Sequence, residues 1–142
     1  MIEFQFKKVY SKRLGEVLKP IISVTIIGAK ESADVFMLLD SGADLSLIPY
    51  SVGEAIGLEL DMENRGEVQG IGEGSIPYLL SQVRIKIGEV ETSIRIGWAL
   101  IEEVPLILGR LDVFKKFSVD FREFENKIIL KHQSEFVANM QS

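Results

Sequence analysis

Apolar and polar residues alternate with a period of two through most of this chain, and this restricts the fold more than any other feature. In IISVTIIG, Ile22, Val24 and Ile26 alternate with Ser23 and Thr25. In QVRIKIGEVETSIRIG, Val83, Ile85 and Ile87 alternate with Arg84 and Lys86, Gly88-Glu89 interrupts, and the pattern resumes. Successive side chains of a strand point to opposite faces, so such runs read as strands with one buried face. Gly followed by a polar residue between two of them reads as a hairpin turn that needs positive φ at its first position. KFSVDF and NKIIL flank REFE in the same manner and give a second hairpin. Short strands punctuated by turns at such intervals predict an all-β sandwich or barrel.

Two stretches depart from the pattern. PYSVGEAIGL carries Val52, Ala55 and Ile56 at helical spacing, with Pro49 in the first turn and Gly57 as a left-handed stop, which predicts a short helix. RLDVFKKF sets Leu111, Phe114 and Phe117 three residues apart with two lysines toward its end, which predicts a second. The last ten residues, 133–142, have no clear period and are expected to form a tail after a domain spanning 1–132. No repeat, low-complexity tract or linker divides the 142 residues, so one domain is expected.

Composition narrows the chemistry. Apolar residues at 46% and charged residues at 26% suit a folded, water-soluble chain, and a net charge of −5 argues against nucleic acid or anionic lipid as partner. Cysteine is absent, which removes disulfides, thiolate nucleophiles and cysteine zinc sites. His132 is the only histidine, so a Ser-His-Asp triad or a two-histidine metal site has nothing to be built from, and a strand-end surface position is expected for it. The start, MIEFQFKKVY, lacks a signal-like apolar run, no stretch is long and apolar enough to span a bilayer, and a cytoplasmic location is expected.

One strand end is unusual. The apolar run Val35 to Leu39 ends on Asp40, followed by Ser41 and Gly42. Asp-Ser-Gly is common turn chemistry, and a lone exposed aspartate with a pKa near its reference of about 3.9 is a poor acid and a weak base. A catalytic role needs a second carboxylate. Gly42 suits either a tight turn or close backbone approach to a substrate. Gly70, Gly72 and Gly74 lack the full spacing of a nucleotide-binding loop, and no helix pattern follows them.

Three segments, in order, resemble the retropepsin-like aspartic proteases. Leu38-Leu39-Asp40-Ser41-Gly42-Ala43-Asp44 is similar to the family's hydrophobic-hydrophobic-Asp-Thr/Ser-Gly-Ala signature. Gly70-Ile71-Gly72-Glu73-Gly74 is similar to the glycine-rich tip of its flap hairpin, and Leu106-Ile107-Leu108-Gly109-Arg110 to its late Gly-Arg motif. The helical insert PYSVGEAIGL brings the chain nearer the cellular and prokaryotic branch than the viral one.

The resemblance implies a closed, mostly antiparallel retropepsin-like barrel with two short helices. It also implies an aspartic endopeptidase that uses no cofactor or metal. Asp40 would be catalytic, and Ser41, Gly42, Ala43, Asp44 and Arg110 would support the active loop, with Asp44 paired to Arg110. Residues Gly70 to Gly74 would close over a peptide or protein substrate. The chain holds one Asp-Ser-Gly, so the resemblance implies a homodimer that brings two Asp40 side chains together, with Ser41 bracing the loops across the two-fold axis. Two rivals remain: a non-catalytic retropepsin-like dimerisation or peptide-binding module, and a small barrel for an apolar ligand. Core packing is expected for Trp98, Phe4, Phe6, Phe36, Phe117 and Phe121. Tyr78 suits either a flap-lining or a surface position, and Glu102 and Glu103 a solvated loop.

Overall fold

A computed structural model describes residues 1–69 and 74–136. The alternating runs form the strands. They are β1 (Ile2–Phe4), β2 (Lys7–Ser11), β3 (Gly15–Lys19), β4 (Ile21–Ile27), β5 (Ser32–Leu39) and β6 (Leu47–Ile48). After helix α1 (Tyr50–Ala55) come β7 (Arg65–Gln69), β8 (Ser75–Ile87), β9 (Val90–Ala99), β10 (Ile107–Leu108), β11 (Phe117–Arg122) and β12 (Lys127–His132).

The largest sheet runs β4-β5-β10-β6-β9-β8-β7, and a further β4–β8 pairing joins all but β7, which pairs with β8 alone, into a closed ring. Closure hides the edges that β4 and β8 would otherwise offer to other chains. The pairings are antiparallel except β5–β10 and β6–β9, both made by two-residue strands. A second sheet, β1-β12-β11, packs Ile128, Leu130 and Phe117 into the same core, and β2 and β3 form a separate hairpin. The result is the expected closed, mostly antiparallel barrel.

Register follows the alternation. Ile22, Val24 and Ile26 are buried, as are Val83, Ile85 and Ile87, while Ser23, Arg84 and Lys86 face water. Each fully buried Ile or Val contributes about 1.5–3 kcal/mol, and a one-residue slip of β8 would send Arg84 and Lys86 inward. Both predicted hairpins form. Gly88 takes φ +58° in the β8–β9 turn, and Asn126 takes φ +54° between β11 and β12.

Helix α1 ends as its sequence predicts. Gly57 adopts φ +81°, its N–H donates to the Glu54 carbonyl, and the Leu58 N–H reaches back to the Gly53 carbonyl. Inside the helix, Gly53 lies flat against the Trp98 indole, where a Cβ would collide with the ring. Trp98 is buried, stacks on Tyr50 at 5.3 Å between centroids, and donates its Nε1–H to the Tyr50 carbonyl at 2.9 Å. The second helix, beginning at Arg110, is kinked: Leu111 is extended, and Asp112 takes φ +66° before the helical turn resumes. Phe117, expected on that helix, is instead the first residue of β11 and is buried.

Two aromatic residues expected in the core lie outside it. Phe36, on the outer face of β5, is 64% exposed, and Phe121 on β11 is 42% exposed. Phe36 faces outward, opposite buried Met37, whereas Phe121 shares the inward face of β11 with Phe117 and Val119 but lies toward the strand end, where its ring meets Phe6 at 6.4 Å between centroids. The Lys7 ammonium sits 5.3 Å from the centre of the Phe36 ring. Phe6 is buried and Phe4 packs half-buried against the core. His132 ends β12 half-buried, edge-on to Phe117 with centroids 5.1 Å apart. Among the described residues no helix is long and apolar enough to cross a membrane.

Candidate active site

Strand β5 carries Asp40 to the rim of a cleft because its neighbours stop there. Leu38 and Leu39 run parallel to Ile107 and Leu108 of β10, and the Asp40 N–H donates to the Leu108 carbonyl at 2.9 Å. The chain then turns sharply. The Gly42 N–H donates to Asp40 Oδ1 at 2.9 Å, and the Ala43 N–H to the Asp40 carbonyl at 3.2 Å. A Cβ on Gly42 would stand 3.2 Å from that carboxylate oxygen, so glycine leaves the acid room. Asp40 is half-buried, while Ser41 and Asp44 are exposed.

The late Leu-Ile-Leu-Gly-Arg segment holds this loop from behind. A Cβ on Gly109 would lie 2.7 Å from the Leu45 carbonyl group and 2.9 Å from the Ala43 oxygen, a distance no side chain tolerates. Backbone N–H groups of Arg110 and Leu111 donate to the carbonyls of Ala43 and Asp44, both at 2.8 Å. Between them lies a residue that the sequence reading missed. Ser46 is completely buried, its Oγ accepts from the Gly109 N–H at 2.9 Å, and its carbonyl accepts from the Gly97 N–H at 2.7 Å. The only sequence signal was a hydroxyl inside the apolar run LSLIP.

The expected Asp44–Arg110 ion pair is not made among the described residues. Both side chains are exposed, where an ion pair contributes only about 0–1 kcal/mol, and main-chain hydrogen bonds join the two segments instead. A charge pair forms one turn further on. Asp112 takes the Arg95 N–H at 2.8 Å, its Nε–H at 2.9 Å and its Nη2–H at 3.0 Å. Those hydrogen bonds from Arg95 hold the Asp112 carboxyl down at about 2. The positive φ of Asp112 aims it at β9, and thus the late motif is tied to the barrel wall.

In front of Asp40 opens a cleft of about 720 Å³. Leu47, Pro105 and Ile107 wall one side, and Val68, Ile76 and Tyr78 of the β7–β8 hairpin wall the other. Tyr78 therefore lines the cleft, packed against Gly66, where a Cβ would come within 2.6 Å of its ring. Gln69 faces Ser75 across the hairpin, and Gly74 takes φ +101°. Gly70, Ile71, Gly72 and Glu73, the expected flap tip, lie outside the described residues. Glu102 has a specific partner. Its carboxylate accepts the Ser51 N–H at 2.9 Å and the Ser51 hydroxyl at 2.5 Å, which lowers its pKa and joins the start of α1 to the segment before β10. Among the described residues no three acidic or histidine side chains converge as a metal site.

A family model described as aspartyl protease matches residues 22–110 of the 142. Among solved structures the chain is similar to EIAV protease complexed with the inhibitor HBY-793, at 26% identity over 68% of this chain and 86% of that one, with a TM-score of 0.47. It is also similar to a retropepsin-like aspartic protease from Rickettsia conorii, at 14% identity over 90% of this chain and 89% of that one, with a TM-score of 0.56. The Rickettsia structure shares the fold. No curated protein matches the chain.

Proposed function

The chain belongs to the aspartyl protease family, and on that premise we propose that it is a homodimeric aspartic endopeptidase in which each protomer supplies one Asp40. One observation carries the reading: Asp40 stands at the rim of a peptide-sized cleft, on a loop fixed by Leu108, Gly109 and Arg110. Such bracing is what a catalytic carboxylate needs and an ordinary turn does not. The chain has one such loop, and the reaction needs two carboxylates, so a second copy must provide the other. Ser41 is exposed, and its hydroxyl makes no hydrogen bond among the described residues, which leaves it free to reach a partner.

The chemistry follows from the pairing. Two charges about 3 Å apart at an effective dielectric near 20 repel by roughly 5 kcal/mol, so one carboxyl keeps its proton, and aspartic protease dyads are the standing example of this effect. The charged Asp40 takes a proton from water as that water's oxygen bonds to the scissile carbonyl carbon. The protonated Asp40 gives its proton to the carbonyl oxygen. Collapse of the resulting diol, with a proton passed to nitrogen, breaks the C–N bond.

The test is peptide hydrolysis by the wild type and by Asp40→Asn, with folding checked by circular dichroism. Loss of cleavage in a folded variant is the expected result, together with wild-type specific activity that falls on dilution as dimers part. Cleavage retained by Asp40→Asn would overturn the reading. A folded dimer that cleaves nothing would favour a non-catalytic module.

A further inference from the structure

We infer that the cleft around Asp40 selects peptides carrying a lysine or arginine side chain beside the scissile bond. This rests on the endopeptidase reading above and extends it to a substrate class. Among the described residues the charged side chains that line the cleft are Asp40, Asp44, Glu67 and Glu103, with no lysine, arginine or histidine. They come from separate places: the active loop, β7 and the segment before β10. They do not converge on a point as metal ligands do, so negative charge is distributed along the groove.

These charges are largely uncompensated. Asp44 and Glu103 have no ion-pair partner among the described residues. Glu67 accepts from the Ser75 hydroxyl at 3.1 Å and lies 3.8 Å from Arg65, with both members of that pair about half exposed, a loose contact that neutralises little. The acidity is also local. An adjoining cavity of about 570 Å³ shares Asp44 and Tyr78 with the cleft yet holds Arg110 and Lys115, so the cleft does not merely repeat the net charge of the chain.

Leu47, Ile76, Pro105 and Ile107 line the same cleft as the carboxylates. An apolar wall with a carboxylate rim fits a side chain that is aliphatic along its stem and cationic at its head. A purely aliphatic side chain would fill the wall and leave the rim unanswered, and an acidic one would face like charge. In a two-fold dimer the same surface recurs on both sides of the cleaved bond, so a basic residue on either side is recognised.

Three peptides identical except for Lys, norleucine or Glu beside the cleaved bond test this. Wild-type kcat/KM should favour Lys over norleucine by about tenfold, the effect of one partly screened charge pair, and over Glu by more. In Glu67→Gln/Glu103→Gln the Lys-to-Glu ratio should fall by at least tenfold. Should that variant fail to fold, raising the salt from about 0.05 to 0.5 M should compress the wild-type ratio instead. A ratio near one, or one unmoved by both treatments, overturns the inference while cleavage upholds the endopeptidase reading. The same peptides, labelled for fluorescence anisotropy, should bind Asp40→Asn in the same order. No cleavage but tighter binding of the Lys peptide would sink the endopeptidase reading and keep the preference. Absence of both would sink both.

Discussion

Ser46 and Gly109 meet at 2.9 Å, the hydroxyl of one accepting the backbone N–H of the other across 63 positions of sequence. Both are buried, so neither group can turn to water instead. Ser46→Ala would leave the Gly109 N–H unsatisfied, a loss of about 1–3 kcal/mol. Gly109→Ala would force a Cβ into the Leu45 carbonyl and should lower stability by about 1–3 kcal/mol or more. Urea unfolding of each variant beside the wild type measures both. A Ser46→Ala chain as stable as the wild type would remove this contact from the loop's supports.

Asp112 gives the fold a defined acid sensitivity. Its carboxyl is held at about 2 in the folded chain, below its ordinary 3.8. A depressed pKa contributes stability above the unfolded value and loses it as pH falls toward the folded one. Asp112→Asn should therefore be less stable than the wild type at pH 7 by about 1–2 kcal/mol, the scale of a charge-assisted hydrogen bond at a partly exposed site. The gap should close between pH 4 and about 2. A gap independent of pH would place the stabilisation in packing rather than charge.

Gly53 sets two effects against each other. Alanine in a helix interior is favoured over glycine by about 1 kcal/mol. Here its methyl would strike the Trp98 indole, and overpacking a fitted core costs about 1–3 kcal/mol. The collision wins, so Gly53→Ala should unfold at a lower temperature and shift the emission of Trp98, the single tryptophan. Unchanged emission with a raised midpoint would show that the helix can move aside.

Ser41→Ala tests the proposed two-fold contact. Losing one hydroxyl per protomer removes two symmetric hydrogen bonds, each contributing about 0.5–1.5 kcal/mol, and should raise the dimer dissociation constant about tenfold or more. Sedimentation equilibrium reads this directly. Monomer stability should stay within about 0.5 kcal/mol because the side chain is exposed.

What the sequence revealed and what it hid divide by range. Alternation in β4, β8 and β9, the Gly88 turn and the Gly57 stop are local, and each was legible from its own neighbours. Three motifs in order were enough for the family. Ser46 was not legible, since a hydroxyl among leucines is defined only by Gly109 and Gly97, which arrive much later in the chain. The charge pairing was expected at Asp44 and Arg110 but occurs at Asp112 and Arg95, because a positive φ at a non-glycine residue redirects a side chain and has no pattern in sequence. Phe36 misled because period two gives two faces without saying which of them another layer covers, and Phe121 because the same face of β11 is buried at Phe117 and opens to water toward the strand's end.

The clamp behind Asp40 also has a consequence for the order in which the protein is made. During synthesis Asp40 leaves the ribosome well ahead of Leu108, Gly109 and Arg110, which fix its loop. Until they do, the aspartate sits on an unbraced strand end with no wall from Pro105 and Ile107 opposite. A nascent chain thus carries this carboxylate before the contacts around it exist, and a product that stops short of Gly109 never acquires the main-chain hydrogen bonds that hold its loop.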